Sequence, residues 1–127
     1  MFSHVVVGSN DLARSKVFYD AVLGVLGAAP GEYDAKGRLI YVHGGSRFLV
    51  TTPVDGAPAA PGNGHTLGFA IESPEQSRAW HAAGVANGGT SAEDPPGVRH
   101  MPAGEMYLAY LRDPDGNKLC GRHRLGA

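Results

Sequence analysis

Cysteine is almost missing from this chain. Cys120 is the only one in 127 residues, so no intrachain disulfide can form, and a lone thiol fits a reducing compartment. Neither sign of charge dominates: 11 Lys and Arg stand against 12 Asp and Glu, a net charge of −1. That balance offers no basic footprint for nucleic acid and no polybasic segment for an anionic membrane. No apolar run is long enough for a membrane-spanning helix. The first residues show no charged leader followed by an apolar stretch, so no secretory signal is expected and the reading is a soluble cytoplasmic protein. What is present is enough apolar side chain for a core, 43%, which argues against disorder. Gly at 19 and Pro at 9 imply many turns and short elements. The length suits a single domain.

The chain repeats itself once. The strand-like run His4-Val5-Val6-Val7 precedes a helix-like segment and paired strands. The run His65-Thr66-Leu67-Gly68-Phe69-Ala70-Ile71 starts the same order again, 61 residues after His4. Phe18 in the first helix and Trp80 in the second are 62 apart. A long period occurring twice is not a solenoid. It predicts two copies of one supersecondary unit that bury their apolar faces together, with His4 and His65 as pseudo-symmetry mates facing one cleft.

Residues 2–8 read as a buried strand ended by Gly8-Ser9-Asn10. Asp11 can cap the helix that follows, whose Phe18, Ala21, Val22 and Val25 make one apolar face and whose end is marked by Gly24 and Gly27. A weak strand is expected over residues 28–34. Better ones span 38–43 and 47–52, joined at Gly44-Gly45 as a tight hairpin. Residues 54–64 form a linker poor in core-forming side chains, between module one at 1–53 and module two at 65–127. Ser73-Pro74-Glu75-Gln76 is a capping-box helix start, and Asn87-Gly88-Gly89 stops that helix. A loop over 93–105 holds a short strand near 98–100. The last two strands, 106–112 and 117–123, flank Asp113-Pro114-Asp115-Gly116, a turn by composition. Each half is thus a strand, a helix and three strands, an α+β arrangement.

Three passages, SHVVVGSNDLARSKVFYDAVLG, the second His-led strand and YLAYLRDPDGNKLC, resemble the vicinal oxygen chelate superfamily, the glyoxalase/bleomycin-resistance/dioxygenase group. The likeness runs through essentially the whole chain. It implies two βαβββ modules that form a half-barrel cleft, as in glyoxalase, bleomycin-resistance and dihydroxybiphenyl-dioxygenase folds, and often a homodimer. It also implies ligand positions for a divalent metal (Zn, Ni, Mn or Fe) at the starts of the first strands, here His4 and His65. A glutamate position on the last strand holds Cys120, and its first-module counterpart is about Val50.

A thiolate, two imidazoles and a water would make a tetrahedral site with one open position. Against this, a free cysteine in a strand is more often a buried small hydrophobe. Tyr41, Phe48 and Tyr110, on candidate strands, are the expected substrate-binding aromatics of an apolar pocket for a small organic molecule. Arg99 and Arg112 could hold an anion, although an ion-paired surface role is the commoner fate. Gly62-Asn63-Gly64 precedes a strand rather than a helix, the wrong context for a phosphate loop. No catalytic base is assigned. Two functions therefore remain open. One is a glyoxalase-like, metal-dependent lyase or isomerase working on a small carbonyl or thiol adduct through an enediolate. The other is a metal-free binding or sequestration protein. An extradiol dioxygenase ranks third: its carboxylate ligand is missing unless Glu72 or Glu105, which flank strands, reaches in.

Overall fold

The computed structural model describes residues 1–126. Its first half holds β1 (Val5–Gly8), α1 (Leu12–Val25), β2 (Glu32–Tyr33), β3 (Leu39–His43) and β4 (Ser46–Thr51). They form a sheet in the order β1-β4-β3-β2, with β1 parallel to β4. The second half holds β5 (Leu67–Ala70), α2 (Pro74–Ala86), β6 (Thr90–Ser91), β7 (Gly97–Met101), β8 (Gly104–Arg112) and β9 (Lys118–Arg124). Their order is β5-β9-β8-β6, and β7 pairs with the other end of β8. The architecture is α+β, two open sheets with two helices.

The local signals act as their chemistry requires. The Asp11 carboxylate accepts from the Arg14 N–H at 3.0 Å and starts α1. Ser73 accepts from the Gln76 N–H at 3.0 Å and starts α2. The Gln76 side chain reaches back to the Glu72 N–H, one residue before the cap, so the box closes a step further out than its standard form. Gly44 and Gly45 have φ of 56° and 80°, the left-handed pair that a two-residue hairpin between β3 and β4 needs. The helix face differs from the expected one: Ser15, Phe18, Tyr19, Val22 and Leu23 are buried, whereas Ala21 and Val25 are only partly so. The short strand Thr90–Ser91 is an addition; with two residues it carries no periodicity to read.

Strand alternation sends one face of each sheet into a shared core. Val7, Phe48, Val50, Leu39 and Tyr41 from the first half join Ile71, Ala109, Leu111 and Leu119 from the second, around Phe18, Tyr19 and Trp80. The two helices pack against each other. Trp80 is fully buried and lies over Gly121, where a Cβ would come within 3.0 Å of the indole. Burying a side chain of this kind is worth roughly 2–3 kcal/mol. With this core on one side, the other face of each sheet points away from it.

Register decides the equivalence of the halves. The helix caps Asp11 and Ser73, and the buried pair Phe18 and Trp80, are both offset by 62. Val5 and Val7 of β1 then match Leu67 and Phe69 of β5, and all four pack on the core. His4 therefore corresponds to Thr66, and His65 to Ser3. The histidine offset of 61 is one residue short, and a one-residue slip along a strand exchanges its faces. The same frame corrects Val50. Val6 pairs with Leu49 and Gly68 with Cys120, so the counterpart of Cys120 is Leu49, while Val50 is fully buried on the core side.

Candidate functional site

His4 and His65 both precede their strands and both are exposed. They line different cavities. His4 borders a groove of about 630 Å³ between the β1 and β5 edges. His65, its ring lying over Gly62, borders a second cavity of about 540 Å³ beside the β8–β9 turn. Cys120 lines neither. Among the described residues no three His, Cys, Asp or Glu side chains gather where they could hold a metal ion. The donor set His4, His65 and Cys120 does not fit a metal in this chain.

The larger groove has an aromatic floor. Phe48 and Phe69 meet edge to face across the two modules, centroids 5.8 Å apart, flanked by Val5 and Leu67. Tyr41 contributes ring surface only, because its hydroxyl donates to Asp20 at 2.7 Å. Burial and that acceptor push the Tyr41 hydroxyl well above its ordinary value. Burial opposes ionisation of Asp20, but bonds from Lys16, the Gly31 N–H and Tyr41 outweigh it and hold the carboxyl below its usual range. The rim is polar: His4, His43, Arg47, Glu72 and Gln76. Gln76 is committed to the Glu72 N–H and the Val25 carbonyl. The sequence offers Glu72 as a possible carboxylate without fixing its position, and it gives no reason to place His43 or Arg47 here. Their signal is positional, since each stands at or beside the end of a strand or helix, and such a signal is useful only once the meeting of the two halves is known.

Tyr110 is elsewhere. It lies opposite Cys120 on β8 and β9, on the face of the second sheet turned away from the helices, packed with Met106 and Leu108. The three expected substrate-binding aromatics therefore divide, Tyr41 and Phe48 at the groove and Tyr110 on this outer face. Burial pushes the Cys120 thiol above its ordinary value, only partly offset by the Tyr110 hydroxyl, which keeps the sulfur neutral. Lys118 stands over the Tyr110 ring, 5.1 Å from its centroid, and pairs with Glu93.

The Asp113-Pro114-Asp115-Gly116 turn is structural. Asp113 is 4% exposed and accepts from the Asp115 and Asn117 N–H groups, the Asn117 amide and the Tyr19 hydroxyl. Asp115 accepts from the Asn10 N–H and the Arg14 guanidinium. The turn of one module is thereby tied to the helix start of the other. Burial, then the Asp113 charge, hold the Tyr19 hydroxyl protonated.

This fold of paired sheets and helices agrees with the comparisons. The family model described as Glyoxalase/Bleomycin resistance protein/Dioxygenase superfamily matches residues 1–120, and the chain belongs to that superfamily. The chain is similar to the crystal structure of a glyoxalase/bleomycin resistance protein from Albidiferax ferrireducens T118, at 60% identity and TM-score 0.94, over 98% of this chain and 99% of that one. A putative glyoxalase from Bacillus halodurans shares the fold at 21% identity and TM-score 0.75, covering 96% and 94% of the two chains. A glyoxalase/bleomycin resistance protein/dioxygenase family enzyme from Burkholderia phytofirmans PsJN does so at 19% identity and TM-score 0.72, covering 97% and 98%. No curated protein matches the chain.

Proposed function

We propose that this protein is a small-molecule-binding member of the superfamily that takes a flat, largely apolar ligand in the inter-module groove without a metal. The carrying observation is the groove itself: a space of about 630 Å³ floored by Phe48 and Phe69 and rimmed by His43, Arg47 and Glu72. That is the usual make-up of a site that buries an apolar body and orients one polar end. The dispersal of His4, His65 and Cys120 supports this reading over the glyoxalase-like lyase or isomerase. The lone thiol supports a cytoplasmic setting.

We also propose a homodimer. The far edges of the sheets, β2 in the first and β6 and β7 in the second, have no further strand beside them, and such an edge invites pairing with another chain. The outer face of the first sheet also exposes Val6 at 44% and Val42 at 62%. Light scattering on purified protein should give twice the chain mass, and a monomer at micromolar concentration would overturn the dimer.

Calorimetric titration of chelator-treated protein with a panel of aromatic ligands tests the main proposal. A ligand should bind equally with and without chelator, and Phe69→Ala should weaken it roughly tenfold by removing one aromatic wall. Stoichiometric metal in the purified protein, lost in His4→Ala/His65→Ala, would instead restore the metal-dependent enzyme.

A further inference from the structure

The smaller cavity has the chemistry of an anion site. Arg112, Lys118, His65, Asn63 and Thr66 line it, with glycine backbone between them and no carboxylate among its lining residues. Arg112 and Lys118 are cross-strand partners, so their cationic side chains rise together from one face of β8 and β9.

The charge pattern around the cavity continues this. On the outer face of the second sheet, alternation lines up Arg99 on β7, Arg112 on β8, and Lys118, Arg122 and Arg124 on β9. The only carboxylate within those three strands is Glu105, which the same alternation puts on the opposite face. Five of the chain's 11 basic residues thus share one face of a protein whose net charge is −1. Segregated charge of this kind raises the local concentration of anions.

A carboxylate already uses part of the site. Glu93, in the loop after β6, pairs with Lys118. Its backbone has φ of 54°, the only left-handed non-glycine residue among those described. A glutamate rarely adopts that conformation. Arg112 donates to the Gly116 carbonyl at 2.8 Å, which leaves its other guanidinium N–H groups for a ligand.

We infer that the cavity formed by His65, Arg112 and Lys118 binds the oxyanion head, carboxylate or phosphate, of a small organic anion, and that Glu93 is the internal carboxylate this head displaces from Lys118. Lys118 has the flexible stem to turn from Glu93 to the ligand. The apolar part of the ligand would lie toward Tyr110 and Cys120, the next cross-strand pair on the same face.

Inorganic phosphate is the first probe, titrated calorimetrically against sodium chloride of equal ionic strength. Saturable phosphate binding is expected. Arg112→Gln and Lys118→Gln should each weaken it roughly tenfold, the scale of one charge-assisted hydrogen bond. Glu93→Gln should tighten it, a gain that a purely structural Glu93 would not produce. Phenyl phosphate and benzoate, each against phenol, then identify the head group: preference for either anion supports the site, and equal binding of phenol overturns it. Phosphate no better than chloride, or unchanged in Lys118→Gln and Glu93→Gln, also overturns it. If Arg112→Gln does not fold, the opposite responses of the other two variants still decide. Phe69→Ala should leave phosphate binding unchanged, which separates this site from the groove.

Discussion

On the outer face of the first sheet, Val6, Leu49, Ile40 and Val42 make a largely apolar strip with Arg47 at one end. On the same face of the second sheet, Met106, Leu108, Tyr110 and Cys120 form a small apolar cluster among Arg99, Arg112, Lys118, Arg122 and Arg124. The inner faces are alike, Val7 with Phe69 and Phe18 with Trp80, all packed on one core. Inner positions answer to shared packing, where a change of one methylene is felt. Outer positions do not touch that core, so one module could become apolar and the other cationic on the same backbone frame. The chemistry that distinguishes the halves is therefore on the faces the core does not constrain.

The connecting turns differ most in energetic weight. Asp113 is buried between the modules, whereas the carboxylate of Asp34, in the β2–β3 turn, accepts only from its neighbours Lys36 and Arg38. Asp113→Ala should cost about 3 kcal/mol, because it leaves Tyr19 and Asn117 with buried unpaired donors. Asp34→Ala should cost clearly less. Urea unfolding of both variants measures the gap, and equal losses would mean the modules do not depend on the Asp113 link.

The equivalent outer positions Leu49 and Cys120 sharpen the comparison next. Leu49→Ala should destabilise by about 2 kcal/mol and Cys120→Ala by about 1, since leucine loses the larger buried volume. A larger loss for Cys120→Ala would show a role for the thiol beyond packing.

On α2, Ser77 is fully buried and its hydroxyl has no hydrogen-bond partner among the described atoms; the matching Ser15 on α1 bonds Ser9 at 2.6 Å. Ser77→Ala should raise stability by about 1 kcal/mol, and Ser15→Ala should lower it. Thermal unfolding of the pair reads the sign directly.

The smallest effect is a pH dependence confined to module one. The folded Asp20 carboxyl titrates below its unfolded value, so its contribution is present above about pH 4 and is lost as pH falls through the folded value. Asp20→Asn should flatten the acid limb of stability against pH. An unchanged limb would reject the Asp20–Tyr41 link as its source.

Much of the fold was legible in the sequence. Gly44-Gly45, the Asp11 and Ser73 caps and the 113–116 turn each have one cheap backbone solution, and all four took it. The strand edges moved by up to four residues, because strands end where pairing ends and pairing partners are distant in sequence. The site was less legible. His4 and His65 looked equivalent by type, and Tyr41, Phe48 and Tyr110 looked alike by composition, but which face and which cavity each reaches depends on register.

By itself the sequence determined the repeat, the two-helix α+β order and the residues that turn the chain, since these follow from local sterics, capping and hydrophobic period; the superfamily was legible through the resemblance of its motifs. Only the tertiary structure decided that the equivalence runs at 62 and not 61, that Cys120 matches Leu49, and that five cations share one sheet face. Those depend on strand pairing between distant segments, where a shift of one residue reverses every side chain.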